Sequence, residues 1–212
     1  MDQILFYISV YVPPLLFAIT LHEAAHGYAA RYFGDNTAYV LGRISLNPTR
    51  HIDPIGTLAL PGLLIALSSP FVFGWAKPVP VSIGNLRNPK RDMIYVAAAG
   101  PAANLVMALL WALLLKFYAI VELDSDVLIT MALMGVKLNV ILMLFNLLPV
   151  PPLDGGRILI GLLPMKASLA LARIEPYGMF IVLGLLLIGG LDVFLSDWVI
   201  QVVKFFLYLV GL

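Results

Sequence analysis

The chain contains no cysteine, and only 12% of its 212 residues are charged. The first absence excludes disulfides and thiolate metal ligands, leaving histidine and carboxylate as the strong ligands. The second excludes an ordinary soluble domain, in which about a quarter of the residues carry charge. A net charge of +1 provides no basic field, so nucleic acid is excluded as a partner. Met1-Asp2-Gln3 lacks the basic n-region of a secretory signal, and no small-residue cleavage site follows the first apolar run. That run is therefore expected to stay as a membrane span. Repeats, low-complexity tracts and an appended soluble domain are also missing from these residues.

What is present is apolar. Hydrophobic residues make up 61% of the chain, and mean hydropathy is +0.98. Apolar spans are expected at Ile4–Tyr32, Met93–Tyr118, Val127–Leu148 and Tyr177–Leu191, with a shorter one at Trp198–Leu212. A further stretch, Ile55–Phe73, is interrupted by Pro61-Gly62 and ends at Ser68-Ser69-Pro70, which argues against a straight spanning helix. If this stretch dips in and returns, Arg31, Arg43, Arg50, Lys77, Arg87, Lys90 and Arg91 share one side with Arg157, Lys166 and Arg173. Asp2, Glu122, Asp124, Asp126, Asp192 and Asp197 then hold the other, with Lys116 near that edge. Such a division is the positive-inside pattern. It places the N-terminus outside and predicts a re-entrant hairpin packed against the bundle, because re-entrant backbone must be covered. Thr37–Leu46 and Val79–Ile83 are rich in β-branched and aromatic residues and predict short strands near the cytoplasmic face. The expected fold is an all-α polytopic membrane protein with about five transmembrane helices, a re-entrant hairpin and a short membrane-associated β element.

Ionisable groups inside a span are costly and usually functional. The first span carries His22-Glu23-Ala24-Ala25-His26. Imidazoles four residues apart lie on one face of a helix and can grip one Zn²⁺, while Glu23 can take a proton from water on that ion. A hydrolytic zinc site needs a third protein ligand and one open position. Glu122 lies at the wrong face in the expected topology, and Glu175 is a weaker fallback. Asp154 is the better candidate, presented from irregular backbone in Pro149-Val-Pro-Pro-Leu-Asp-Gly-Gly156. It could also serve as a cap for the helix starting at Gly155. Lys137, about ten residues into a span, and His51, in an interfacial loop, have no assigned role.

His22–His26, the run Asn146-Leu-Leu-Pro149-Val-Pro-Pro-Leu153-Asp154-Gly155 and Gly100-Pro101-Ala-Ala-Asn104 occur in that order. In these motifs, over about residues 20–160, the chain resembles the site-2 protease family of intramembrane zinc metalloproteases. The resemblance implies one Zn²⁺ held by His22, His26 and Asp154, with Glu23 as general base and acid. It implies that Asn146 hydrogen-bonds the scissile carbonyl or its oxyanion. It also implies a transmembrane protein substrate, locally unwound and bound as an added strand, for which Tyr39–Leu46 is the segment available. Without a PDZ-like insertion or a nucleotide-sensing domain, residues 1–212 resemble the small, minimal branch as one domain, with a catalytic core at about 4–160 and C-terminal helices at 174–212. The expected location is the cell membrane, multi-pass, with the active site toward the cytoplasm. A membrane ion or metal transporter using the same ligands, or a catalytically silent binding member, are the rival functions. Only the protease needs Glu23 for proton transfer.

Overall fold

The computed structural model describes residues 3–67, 74–187 and 189–212, without the side chains of 190–194. Asp2, the Asp192 side chain and residues 68–73 of the expected hairpin lie outside the described residues. Three long apolar helices form the frame: α1 (Gln3–Tyr32), α4 (Pro89–Ile120) and α5 (Asp126–Asn146). Between α1 and α4 lie α2 (Thr37–Val40) and α3 (Leu60–Ala66). After α5 come α6 (Asp154–Leu162), α7 (Met165–Ala172), α8 (Glu175–Leu187) and α9 (Gly190–Leu209).

The frame helices pack pairwise on one another through small residues. Ala18, Ala24, Gly27 and Ala30 are buried on α1, and Gly100, Ala108 and Ala112 on α4. On α5, Ala132 and Gly135 are buried, and Gly135 lies where a Cβ would overlap the Trp111 ring. Small side chains let backbones approach in lipid, where no hydrophobic force draws helices together. Large apolar side chains point outward instead, including Phe17, Val106, Leu110 and Phe117, as a surface solvated by acyl chains requires. Ser125 caps α5 by accepting from Leu128 N, and Asp126 in its first turn suits the helix dipole.

Among the described residues, three helices are long and apolar enough to span a bilayer: α1 with 30 residues, α4 with 32 and α5 with 21. A fourth span is possible if α7 and α8 count as one, although they are bent by 64°. The expected all-α fold with several membrane spans is thus seen, with three or four candidates among the described residues. The thirteen residues of α8 reach only about 20 Å, short of a hydrocarbon core of about 30 Å. At the start of α8, Gly178 abuts Pro151, and Val182 packs with Leu148 and Leu153. The helix therefore lies against the end of α5 that leads to Asp154.

From there α9 leads back along the frame. Leu195 packs beside Leu148 and Leu153, Val199 and Phe206 join the Ala108–Val140 core, and Lys116 Nζ donates to Gly211 O at 2.9 Å. The last helix thus ends at the far end of α4. Asp197, two residues past Leu195, lies toward the other end, so its expected grouping with Glu122 and Asp124 is corrected.

The expected β element is also corrected, since no strand occurs among the described residues. Asp35 Oδ1 accepts from Thr37 N (3.0 Å) and Thr37 Oγ1 (2.5 Å), a local bond that favours a turn of helix over a strand. Residues 75–82 form neither helix nor strand, and Pro78 and Pro80 lack the N–H groups a ladder requires.

The Ile55–Phe73 stretch begins with a π-helical turn, Pro54–Ala59, capped by Asp53, which accepts from Ile55 N and Gly56 N. It continues into α3. Beyond the undescribed residues the chain returns to its starting point: Trp75 N donates to Gly56 O at 3.0 Å, and Thr57 Oγ1 to Trp75 O at 2.8 Å. The indole fills the space a Cβ on Gly56 would need. Among the described residues of this segment, α3 buries none of its own, so the expected packing on the bundle is not seen there.

Candidate metal centre

His22 and His26 project from α1 toward α4 at the level of Gly100. A Cβ on Gly100 would overlap both rings, lying 2.6 Å from His22 Nε2. Glycine is thus the residue that admits two imidazoles between these helices. Asp154 reaches them from the first turn of α6. Leu153 holds the cap position, so the Asp154 carboxylate is turned to the histidines and does not cap the helix. The chain from Leu147 to Leu153 folds back over that first turn. It passes so close that side chains on Gly155 or Gly156 would overlap the backbone of Leu147 and Pro151.

The three ligand atoms form a near-equilateral triangle. His22 Nε2 and His26 Nε2 are 3.1 Å apart, and Asp154 Oδ2 lies 3.3 and 3.4 Å from them. Ligand atoms on a tetrahedron about zinc, with bonds of about 2.0–2.1 Å, would be separated by about 3.4 Å.

Protonation supports the same fit. His26 Nδ1 lies 2.8 Å from Val96 O, an acceptor only, so this nitrogen carries the proton. His22 Nδ1 lies 2.6 Å from Asn104 Oδ1, and the Asn104 amide nitrogen donates to Ala18 O and Asn139 Oδ1. Both Nε2 atoms are then bare lone pairs facing each other, and Asp154 Oδ2 is buried without a hydrogen-bond partner. A shared cation resolves all three. The residues therefore fit a divalent metal.

Glu23 lines the same cleft of about 240 Å³ with His22, His26, Asn146 and Asp154. Its Oε2 accepts from Val79 N at 2.7 Å. The remaining walls are mainly apolar, including Trp75, Val79, Met93, Val96 and Met179, with Arg157 as the cationic exception. A wider, shallow depression of about 460 Å³ around Gly34, Thr37 and Asn85 is lined by no ionisable side chain.

Asn146 Nδ2 is spent on Leu142 O at 2.9 Å. Glu175, the fallback ligand, pairs with Arg157 at 3.1 Å and does not join the cluster. Glu122 sits in the turn after α4, with φ of 50°. Asn139 was not anticipated. It lies seven residues before Asn146 on α5, fully buried, and ties Asn104 to Gly135 O at 2.8 Å. A polar residue deep in an apolar helix was the available signal.

Relatives match over most of the chain. It is 36% identical over 192 residues to "Putative zinc metalloprotease YwhC" of Bacillus subtilis (strain 168), covering 86% of this chain and 84% of that protein. The chain belongs to peptidase family M50.

The profile described as Peptidase family M50 matches residues 122–189. "Putative zinc metalloprotease Rip2" of Mycolicibacterium smegmatis is 32% identical over 206 residues, or 94% of this chain and 74% of that protein. The Mycobacterium tuberculosis (strain H37Rv) protein of the same name is 32% identical over 197 residues, with 90% and 72% covered. No solved structure matches. This M50 chain is thus a zinc metalloprotease of the site-2 protease family, with several apolar helices as in a multi-pass membrane protein and a His22–His26–Asp154 cluster able to bind metal.

Proposed function

We propose that the chain is an intramembrane zinc-dependent endopeptidase that cuts transmembrane proteins near the cytoplasmic face, with residues 1–212 acting as one catalytic domain. The carrying observation is the buried triangle of His22, His26 and Asp154 at one end of a lipid-exposed bundle. These three residues hold the zinc. A zinc ion bound there supplies Lewis acidity and brings the pKa of water to about 7. Glu23 takes the proton of the attacking water and delivers it to the departing amine. Asn146 stabilises the oxyanion, for which its amide must exchange Leu142 O for the substrate.

The cleft volume supports an unwound substrate, since a helix is about 10–12 Å across with its side chains. Trp75, Ala76, Pro78, Val79 and Val81 line the cleft beside an incoming substrate, and Tyr39–Leu46 does not. Arg31, Arg43, Lys77, Arg87 and Lys90 cluster in the loops and adjoining helix ends at the site's end of the frame, favouring a cytoplasmic location for that end. The stretch from Gly56 to Trp75 is then a re-entrant excursion. In the test, Glu23→Gln retains zinc and cuts a single-span substrate at least ~10²-fold more slowly. Parent-rate cleavage by that variant excludes this mechanism. Zinc-dependent ion flux through sealed vesicles without cleavage would favour a transporter.

A further inference from the structure

We infer that the backbone N–H of Val79 is a positioning donor for Glu23, presented by a proline-flanked strap across the cleft. The inference rests on the proteolytic reading for its kinetic consequence, while the bond itself can be tested without it.

The strap is pinned on both sides of the cleft. Trp75 N donates to Gly56 O at 3.0 Å and Lys77 N to His51 O at 2.9 Å. Arg43 Nη2 donates to Lys77 O (3.1 Å) and Pro78 O (3.3 Å), and Ser82 N to Asp35 Oδ2 (2.6 Å). Each of these partners lies outside the three frame helices. At the centre, where the strap crosses α1, the sequence reads Pro78-Val79-Pro80. Proline has no N–H and fixes φ, so one donor stands alone between two blank positions. That donor meets the Glu23 carboxylate at 2.7 Å. Gly27, one turn beyond Glu23, makes room for the strap, since a Cβ there would lie 3.2 Å from Val79 Cγ1 and 2.8 Å from Ile44 Cγ1.

A glutamate has three side-chain torsions and would otherwise sample several rotamers. A charge-assisted bond to one oxygen fixes the carboxylate plane and leaves the other oxygen to receive a proton. The chemistry of the base is unchanged, and its aim is set by backbone, beyond the reach of most side-chain substitutions.

Two measurements on the full chain test this. Hydrogen exchange in bilayer discs, with or without zinc, reads the bond directly. Glu23→Ala should speed exchange at Val79 by about tenfold and leave Ser82, bonded to Asp35, unaltered. Kinetics of the zinc-loaded protein on a single-span substrate read its consequence. Val79→Pro deletes the donor and Val79→Ala keeps it. At equal zinc content, kcat of Val79→Pro should fall at least about tenfold below that of Val79→Ala, with KM values close together. Should Val79→Pro fail to fold, α-hydroxyisovalerate at position 79 deletes the N–H alone and gives the same comparison. Equal kcat values, a change confined to KM, or exchange at Val79 indifferent to Glu23 would overturn the inference. Absence of cleavage by the parent protein would instead overturn the proteolytic reading, and the exchange measurement would still decide whether the bond exists.

Discussion

Two imidazoles with bare Nε2 atoms 3.1 Å apart repel each other unless a cation lies between them, and their arrangement is set by the acceptors behind them. His22 depends on Asn104, which depends on Asn139, so three frame helices fix one tautomer. Outer partners of this kind commonly matter ~10–100-fold in metal affinity. Asn139→Leu should therefore weaken zinc binding by about that factor although it touches no ligand, as competition with a chelator would show, and Asn104→Ala should weaken it at least as much. A second residue acts away from the metal. Asp35 is fully buried and accepts from Thr37, Ser82 and Asn85. Burial pushes its carboxyl up, but these donors outweigh it and hold it below the ordinary range. A depressed carboxyl contributes stability that is full above the ordinary value of about 4 and is lost as pH falls through the folded value. Thermal melts should show Tm falling below about pH 4, and Asp35→Asn should lower Tm at pH 7 and flatten that fall.

At the scale of elements, the decisive contact is between α1 and α4 at Gly100. Gly100→Ala places a methyl group inside both imidazoles, so α4 must move away or the rings must turn. Zinc content should fall to near background while Ala98→Gly, two residues away on another face of α4, retains it. A Gly100→Ala protein with full zinc would mean that the helices separate freely. The three frame helices were legible in the sequence because their apolar runs are long and uninterrupted, and His22, His26 and Asp154 because their motifs are local. Asn139 was not, since its role depends on Asn104 and on helix rotation, which periodicity in an all-apolar segment does not reveal. The strand expectation at Thr37 failed because β-branched content was outweighed by one preceding aspartate. Of the C-terminal runs, α8 alone is too short to cross, and a break at Gly189, whose φ is 69°, divides it from α9.

For the whole molecule, α1 starts and α9 finishes at the end of the frame opposite the metal centre, so both termini are expected on one side of the membrane. The chain has no native cysteine, which makes single-site labelling clean. Cysteines at 43 and 87 should react from the cytoplasm, and those at 3 and 212 from the opposite side. Reaction of 43 and 87 from different sides would mean that the Gly56–Trp75 excursion crosses the bilayer. Reaction of 212 with the cytoplasmic set would mean that α9 does not run as described.

The ligand triangle draws on both an early and a late part of the chain: α1 supplies two corners, and Asp154 follows after more than half of the sequence. During synthesis the histidine pair enters the membrane long before its carboxylate has left the ribosome. A centre built from these three side chains is complete only once α6 has been made.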